Sequence, residues 1–170
     1  MTIRRDHSGA PDGSGARYRV GAWFAALTSA VAFALHYAWE NAQCSAFYVH
    51  VSENPMQLDM VLATLGDVVM MWIAFAATAL VTGSWHWPFG RWDRRVWGAL
   101  VGASLVMSVA VERFAVASGR WSYTAINPLI PGTGVSVLPV AQLVVLFPLT
   151  FWLAIRISRA TSSPSQGRPT

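Results

Sequence analysis

Four ionisable side chains, His36, Glu40, Asp67 and Glu112, sit inside long apolar stretches of this sequence. Charging an acid in hydrocarbon costs about 3 kcal/mol or more, so such residues face a bundle interior and mark sites. A carboxylic acid in a low-dielectric pocket keeps its proton near neutral pH and can give it to an alkene. A neighbouring base then removes a proton from another carbon, and aromatic faces stabilise the cation that develops between the two steps. His36, Glu40, Asp67 and Glu112 are therefore the candidate catalytic set.

Their spacing supports a shared location. His36, Glu40 and Gln43 stand at i, i+4 and i+7, on one face of a helix. Thr64, Asp67 and Met71 repeat that stripe in the next segment. Glu112 shares a face with Ser108 and is followed by Arg113, a candidate counter-ion. Gln142 stands one turn below Pro139. Trp39, Gln43, Arg120, Trp121, Tyr123, Asn127 and Gln142 are the candidate substrate-binding residues, with Trp121, Tyr123 and Asn127 placed above the acids.

Four apolar segments must position these groups, at about residues 20–43, 58–82, 96–117 and 135–157, each reaching the roughly 20 residues that cross a bilayer. The expected fold is all-α: a four-helix transmembrane bundle over residues 20–157, with both termini cytoplasmic. Residues 1–19 and 158–170 are expected to be disordered cytoplasmic tails. The first tail is polar and Gly/Ser-rich, and the apolar run after it is too long for a cleavable signal. With the N-terminus inside, Glu40 lies within a turn of the outer end of its span. At the helical rise Asp67 falls about 9 Å below its outer end and Glu112 about 8 Å short of its own. All three acids thus converge in the outer half of the bilayer.

The connections carry their own expectations. Pro139 and Pro148 should interrupt the fourth span, since each removes a backbone donor. The loop 118–134 (SGRWSYTAINPLIPGTG) is too apolar for a plain linker and should fold back over the outer mouth as a lid or re-entrant segment. The loop 83–95 (GSWHWPFGRWDRR) mixes Trp with Arg as an aromatic belt beside a cytoplasmic surface does, and places His86 at the interface.

Composition excludes several classes. The chain has 170 residues and is 54% hydrophobic, with a mean hydropathy of +0.41, so four spans leave no room for a soluble catalytic module. All 12 basic residues are Arg, and without Lys no Schiff base to retinal or pyridoxal phosphate can form. The net charge of +4 is not a nucleic-acid signature, because 10 of the 12 Arg fall in the two tails and the middle loop. That is the positive-inside bias of a multi-pass cell-membrane protein, here placed in a bacterial inner membrane. The single cysteine, Cys44, makes neither an intrachain disulfide nor a zinc site on its own. No metal and no cofactor are expected; bis-His haem ligation would need a second His inside a span.

The sequence carries three family resemblances. The pair His36-x-x-x-Glu40 on a first span, a carboxylate on the next and a Glu on a later one resemble the emopamil-binding (EXPERA) family. That resemblance implies a small helical membrane protein that shifts a double bond by protonation and deprotonation. The same acids are similar to those of integral-membrane terpene cyclases, which implies an acid-started cation cascade. A wider resemblance, over most of residues 35–156, is to a group of uncharacterised four-span bacterial membrane proteins. Its blocks are Trp39-Glu40-x-x-Gln43, Gly66-Asp67, Glu112 with Gly119-Arg120-Trp121-x-Tyr123, and the stretch 128–142. It implies the fold and no activity.

The leading expectation is an acid–base isomerase or cyclase acting on a membrane lipid or isoprenoid-like small molecule. Glu40 or Asp67 would donate the proton, His36 would act as base or orienting partner, and Glu112 as a second acid–base group. The alternatives are a non-catalytic lipid- or quinone-binding accessory subunit and a small transporter, for which a homo-oligomer would be needed. A homo-oligomer is left open in the other readings too.

Overall fold

The computed structural model describes the backbone of residues 14–50 and 56–162, with side chains over 21–49 and 57–161. The outer parts of both expected tails, 1–13 and 163–170, lie outside the described residues. Four helices follow in order: α1 (Ser14–Phe47), α2 (Met56–Thr82), α3 (Arg94–Ala117) and α4 (Val137–Ser162). Helix α1 therefore begins six residues before the expected span, and α4 runs five past it.

Each helix carries a stretch long and apolar enough to cross a bilayer. Their outer surface is apolar too: Leu58, Leu62, Leu65, Val69, Ile73 and Leu80 on α2, and Val106 and Phe114 on α3, are all exposed. Such a surface would aggregate in water and is stable against lipid. The chain is a multi-pass integral membrane protein with a four-helix bundle, and each helix packs on the next, α4 closing back onto α1.

Helix ends follow local chemistry. Asp93 caps α3, its carboxylate accepting from the backbone N–H of Arg95 at 2.9 Å and of Val96 at 3.0 Å. Gly83 and Gly119 terminate α2 and α3 with φ of 69° and 70°. That left-handed turn returns the N–H of Ser84 to Ala79 and of Arg120 to Ala115. Inside the bundle, the hydroxyls of Thr28, Thr64, Thr78 and Ser104 each donate to the carbonyl four residues back, which satisfies them without water.

Two expectations need correction. Pro139 does not interrupt α4: the helix starts at Val137, so Pro139 sits in the first turn, where no intrahelical donor is required. Pro148 alone lies inside the helix, which continues past it. The loop 83–95 is more than an interfacial belt. Trp87 is buried, packs against Phe75 and Phe151 with ring centroids 5.7 Å and 5.0 Å away, and donates its indole N–H to the Phe75 carbonyl. The short 3-10 turn Trp87–Phe89 thus plugs that end of the bundle.

At the opposite end two short strands, β1 (Tyr48–His50) and β2 (Trp121–Tyr123), pair antiparallel with Tyr48 opposite Tyr123 and Val49 opposite Ser122. The sequence reading held no strand. The loop after α3 instead returns to cap α1. Thr124 N–H and Asn127 Nδ2 both donate to the Phe47 carbonyl, at 3.1 Å and 2.9 Å. The Thr124 hydroxyl donates to the Ala46 carbonyl at 3.0 Å. These donors satisfy carbonyls that the helix end would otherwise leave open.

Candidate functional site: an acidic cavity under the two-stranded cap

The C-terminal ends of α1 and α3 and the N-terminal ends of α2 and α4 meet at the end of the bundle that carries the sheet. All four helices, with residues 118–121, line one cavity of about 580 Å³ there, and Glu40, Asp67 and Glu112 lie on its wall. That is an ordinary size for a small-molecule site. The convergence that the sequence implied is observed.

A chain of hydrogen bonds fixes the polarity of the deep end. Trp39 Nε1–H can only donate, and it does so to Gln43 Oε1 at 2.8 Å. The Gln43 amide nitrogen therefore faces onward, donating to Gln142 Oε1 at 3.2 Å and Glu40 Oε1 at 3.3 Å. Gln142 is thereby oriented with its Nε2 toward the acids. It donates to Asp67 Oδ2 at 2.8 Å and to Glu40 Oε1 at 3.0 Å. His36 Nδ1 reaches the same Asp67 oxygen at 3.1 Å. With Asp67 ionised, Nδ1 carries the proton, and its 3.1 Å approach to Gln142 Nε2 is that of two donors meeting on one acceptor.

The contacts distinguish the oxygens of the three carboxylates. Asp67 is held through Oδ2. Glu40 Oε1 takes the two amides, while Oε2 faces the Cys44 thiol at 3.1 Å. Glu112 Oε1 accepts from Tyr123 OH at 2.7 Å and from Tyr48 OH at 3.4 Å. Tyr123 in turn accepts from the Ser136 N–H at 3.3 Å.

The candidate residues separate into two groups. Glu40, Gln43, Asp67, Glu112, Arg120, Trp121 and Gln142 line the cavity. His36 is fully buried behind Asp67 and does not line it. Trp39 orients Gln43, Tyr123 holds Glu112, and Asn127 is engaged in capping α1, so these act at one remove. Arg113 does not serve as the counter-ion of Glu112; it is exposed, and the two tyrosines take that place.

Three further residues belong to the site. Asp59, Cys44 and Tyr48 all line the cavity. Periodicity contained the signal for each. The cavity face of α2 is Asp59, Leu62, Ala63, Gly66, Asp67 and Met70, a regular helical stripe that includes Asp59. Cys44 and Tyr48 extend the series His36, Glu40 at steps of four.

Burial and the Glu112 carboxylate push the phenols of both Tyr48 and Tyr123 well above their ordinary value. The folded protein thus holds two phenolic protons that the unfolded chain releases near pH 10. Because the unfolded state then binds fewer protons, stability is full below pH 10 and falls as pH rises beyond it. Thermal unfolding of wild type is expected to show this alkaline decline, and a Tyr48→Phe/Tyr123→Phe variant a shallower one. Parallel pH profiles for the two would remove the phenols from this role.

No protein-family model matches the chain, and no curated protein or solved structure matches it either. Function must therefore be argued from the cavity itself.

Proposed function

We propose that this protein is a membrane-embedded acid–base enzyme that isomerises or cyclises an isoprenoid-like lipid. The observation that carries the reading is the set of three carboxylates, from three helices, on the wall of one cavity within an apolar bundle. The division of roles follows from the hydrogen bonds. Asp67 receives two donors on one oxygen, one of them from His36, and is best read as the ionised member. Glu40 shares the Gln142 amide with it, and two negative charges so close in a dry site are costly. Glu40 therefore carries a proton, on Oε2, the oxygen free of the amides. Glu112, fed by two phenols, is the base.

The proposed step is redox-neutral. Glu40 gives its proton to one alkene carbon, and the π pair forms the new C–H bond. Asp67 stabilises the cation left on the neighbouring carbon, with the ring of Trp121 beside it. Glu112 then removes a proton from an adjacent carbon, whose C–H pair becomes the shifted double bond; a cyclase would let a second alkene attack the cation first. Protons return from Glu112 to Glu40 through water at the rim. His36 positions Asp67 and does not touch the substrate.

The Arg distribution supports cytoplasmic termini, and on this reading the cavity lies in the outer half of a bacterial inner membrane.

The test compares lipid extracts, by mass spectrometry, from cells carrying an empty vector, the wild type or the Glu40→Gln/Asp67→Asn/Glu112→Gln variant. A species gained or lost with the wild type only is expected. Identical extracts in a host that supplies isoprenoid precursors would sink the enzymatic reading and leave a binding subunit.

A further inference from the structure

Among the described residues, the wall of the cavity is incomplete on one side. Leu62, Ala63 and Gly66 of α2 and Val111 of α3 line the cavity and are exposed. At Gly66 no side chain closes the gap, and a Cβ built there would meet nothing within 4 Å. The carboxylate of Asp67 follows in the next position of the chain. The water side of the rim is different: Ser118, Gly119 and Arg120 line it and are exposed beyond the end of α3.

Charge decides what can enter head-first. Among the described residues that line the cavity, Glu40, Asp59, Asp67 and Glu112 are carboxylates and Arg120 is the one guanidinium. The guanidinium stands at the rim and the acids reach to the floor. An anionic headgroup would have to pass the one cation and settle among carboxylates in a low dielectric, where like charges repel strongly. A neutral polar end, such as a hydroxyl, meets acceptors there.

We infer that the gap at Gly66 is a lateral portal through which an uncharged single-chain lipid lies, polar end among the acids and chain leaving between α2 and α3 into the bilayer. This rests on reading the cavity as a lipid site, and it names the class of lipid and the residue that admits it. A slim chain passes where Gly66 has no side chain; a larger residue would fill the same space from the helix side. Because position 66 is exposed and uncrowded, filling it leaves the packing of the bundle intact.

The experiment uses full-length protein in phosphatidylcholine nanodiscs and hexadecanol carrying a photoreactive diazirine near its hydroxyl. Diazirines of this kind label carboxylates, and peptide mass spectrometry locates the adducts. Wild type is expected to be labelled at Glu40, Asp67 or Glu112. Gly66→Leu should lower that labelling about tenfold through the steric clash it introduces. Gly98→Leu, at an exposed and equally open position near the other end of α3, should leave it unchanged. The phosphate ester of the same alcohol should label these acids weakly.

Equal labelling of Gly66→Leu and wild type would overturn the portal while leaving the catalytic reading to the lipid-extract comparison. Phosphate ester labelling as strong as the alcohol's would overturn the selection against anionic lipids. Absence of adducts on the three acids in wild type would overturn the portal, even if the extracts still reveal a product.

Discussion

Glu40→Gln is expected to lower turnover by about 10²–10⁴-fold, the usual contribution of a positioned general acid. The amide has the same shape, and its oxygen can still accept from Gln142 and Gln43. What it lacks is a proton to give. Binding should therefore change little and KM stay near its wild-type value, while kcat collapses. Removing an acid from a buried site also leaves thermal stability level or slightly raised. The measurement is product formation by purified protein in nanodiscs, once the lipid extracts have identified the substrate. Turnover within a few-fold of wild type would move the acid role away from Glu40.

Gln142→Leu is expected to destabilise the fold more than any other single change at the site. It removes the donor shared by Glu40 and Asp67; the bond to the ionised Asp67 is worth about 1.5–3 kcal/mol and the one to neutral Glu40 about 0.5–1.5 kcal/mol. The loss should total about 2–4.5 kcal/mol, which at roughly 2–4 °C per kcal/mol for a chain of this size lowers Tm by about 10 °C. Gln43 also loses an acceptor at Gln142 Oε1, so the damage spreads back along the chain toward Trp39. A double-mutant cycle isolates the coupling: in an Asp67→Leu background the same change should cost distinctly less. Additive losses would mean that Gln142 and Asp67 do not act as a unit.

Both predictions depend on side chains contributed by different helices, and here the reach of the sequence is clear. Its apolar runs were long enough to specify four spans, because the bilayer sets a length that composition must satisfy. Its charge asymmetry carried the orientation argument. The depth of Glu40, Asp67 and Glu112 followed from the helical rise, so their meeting at one end of the bundle was legible before any contact was known. The stripe on α2 was legible in the same way, and Asp59 could have been read from it.

What required the tertiary structure is everything that depends on which faces turn toward each other. A stripe at i, i+4 states that His36 and Glu40 share a face but not that His36 lies behind Asp67, out of the cavity. Glu112 had a charged neighbour in sequence, Arg113, yet adjacent helical residues point in different directions. Its partners instead came from Tyr48 and Tyr123, 64 and 11 positions away. The strand pairing of β1 with β2 is a long-range match between three-residue segments, too short for any period to register. The sequence by itself determined the number of helices, the membrane setting and the level of the acids. Only tertiary packing decided which carboxylate is fed by amides and which by phenols, because those donors arrive across helix contacts that no single helix encodes.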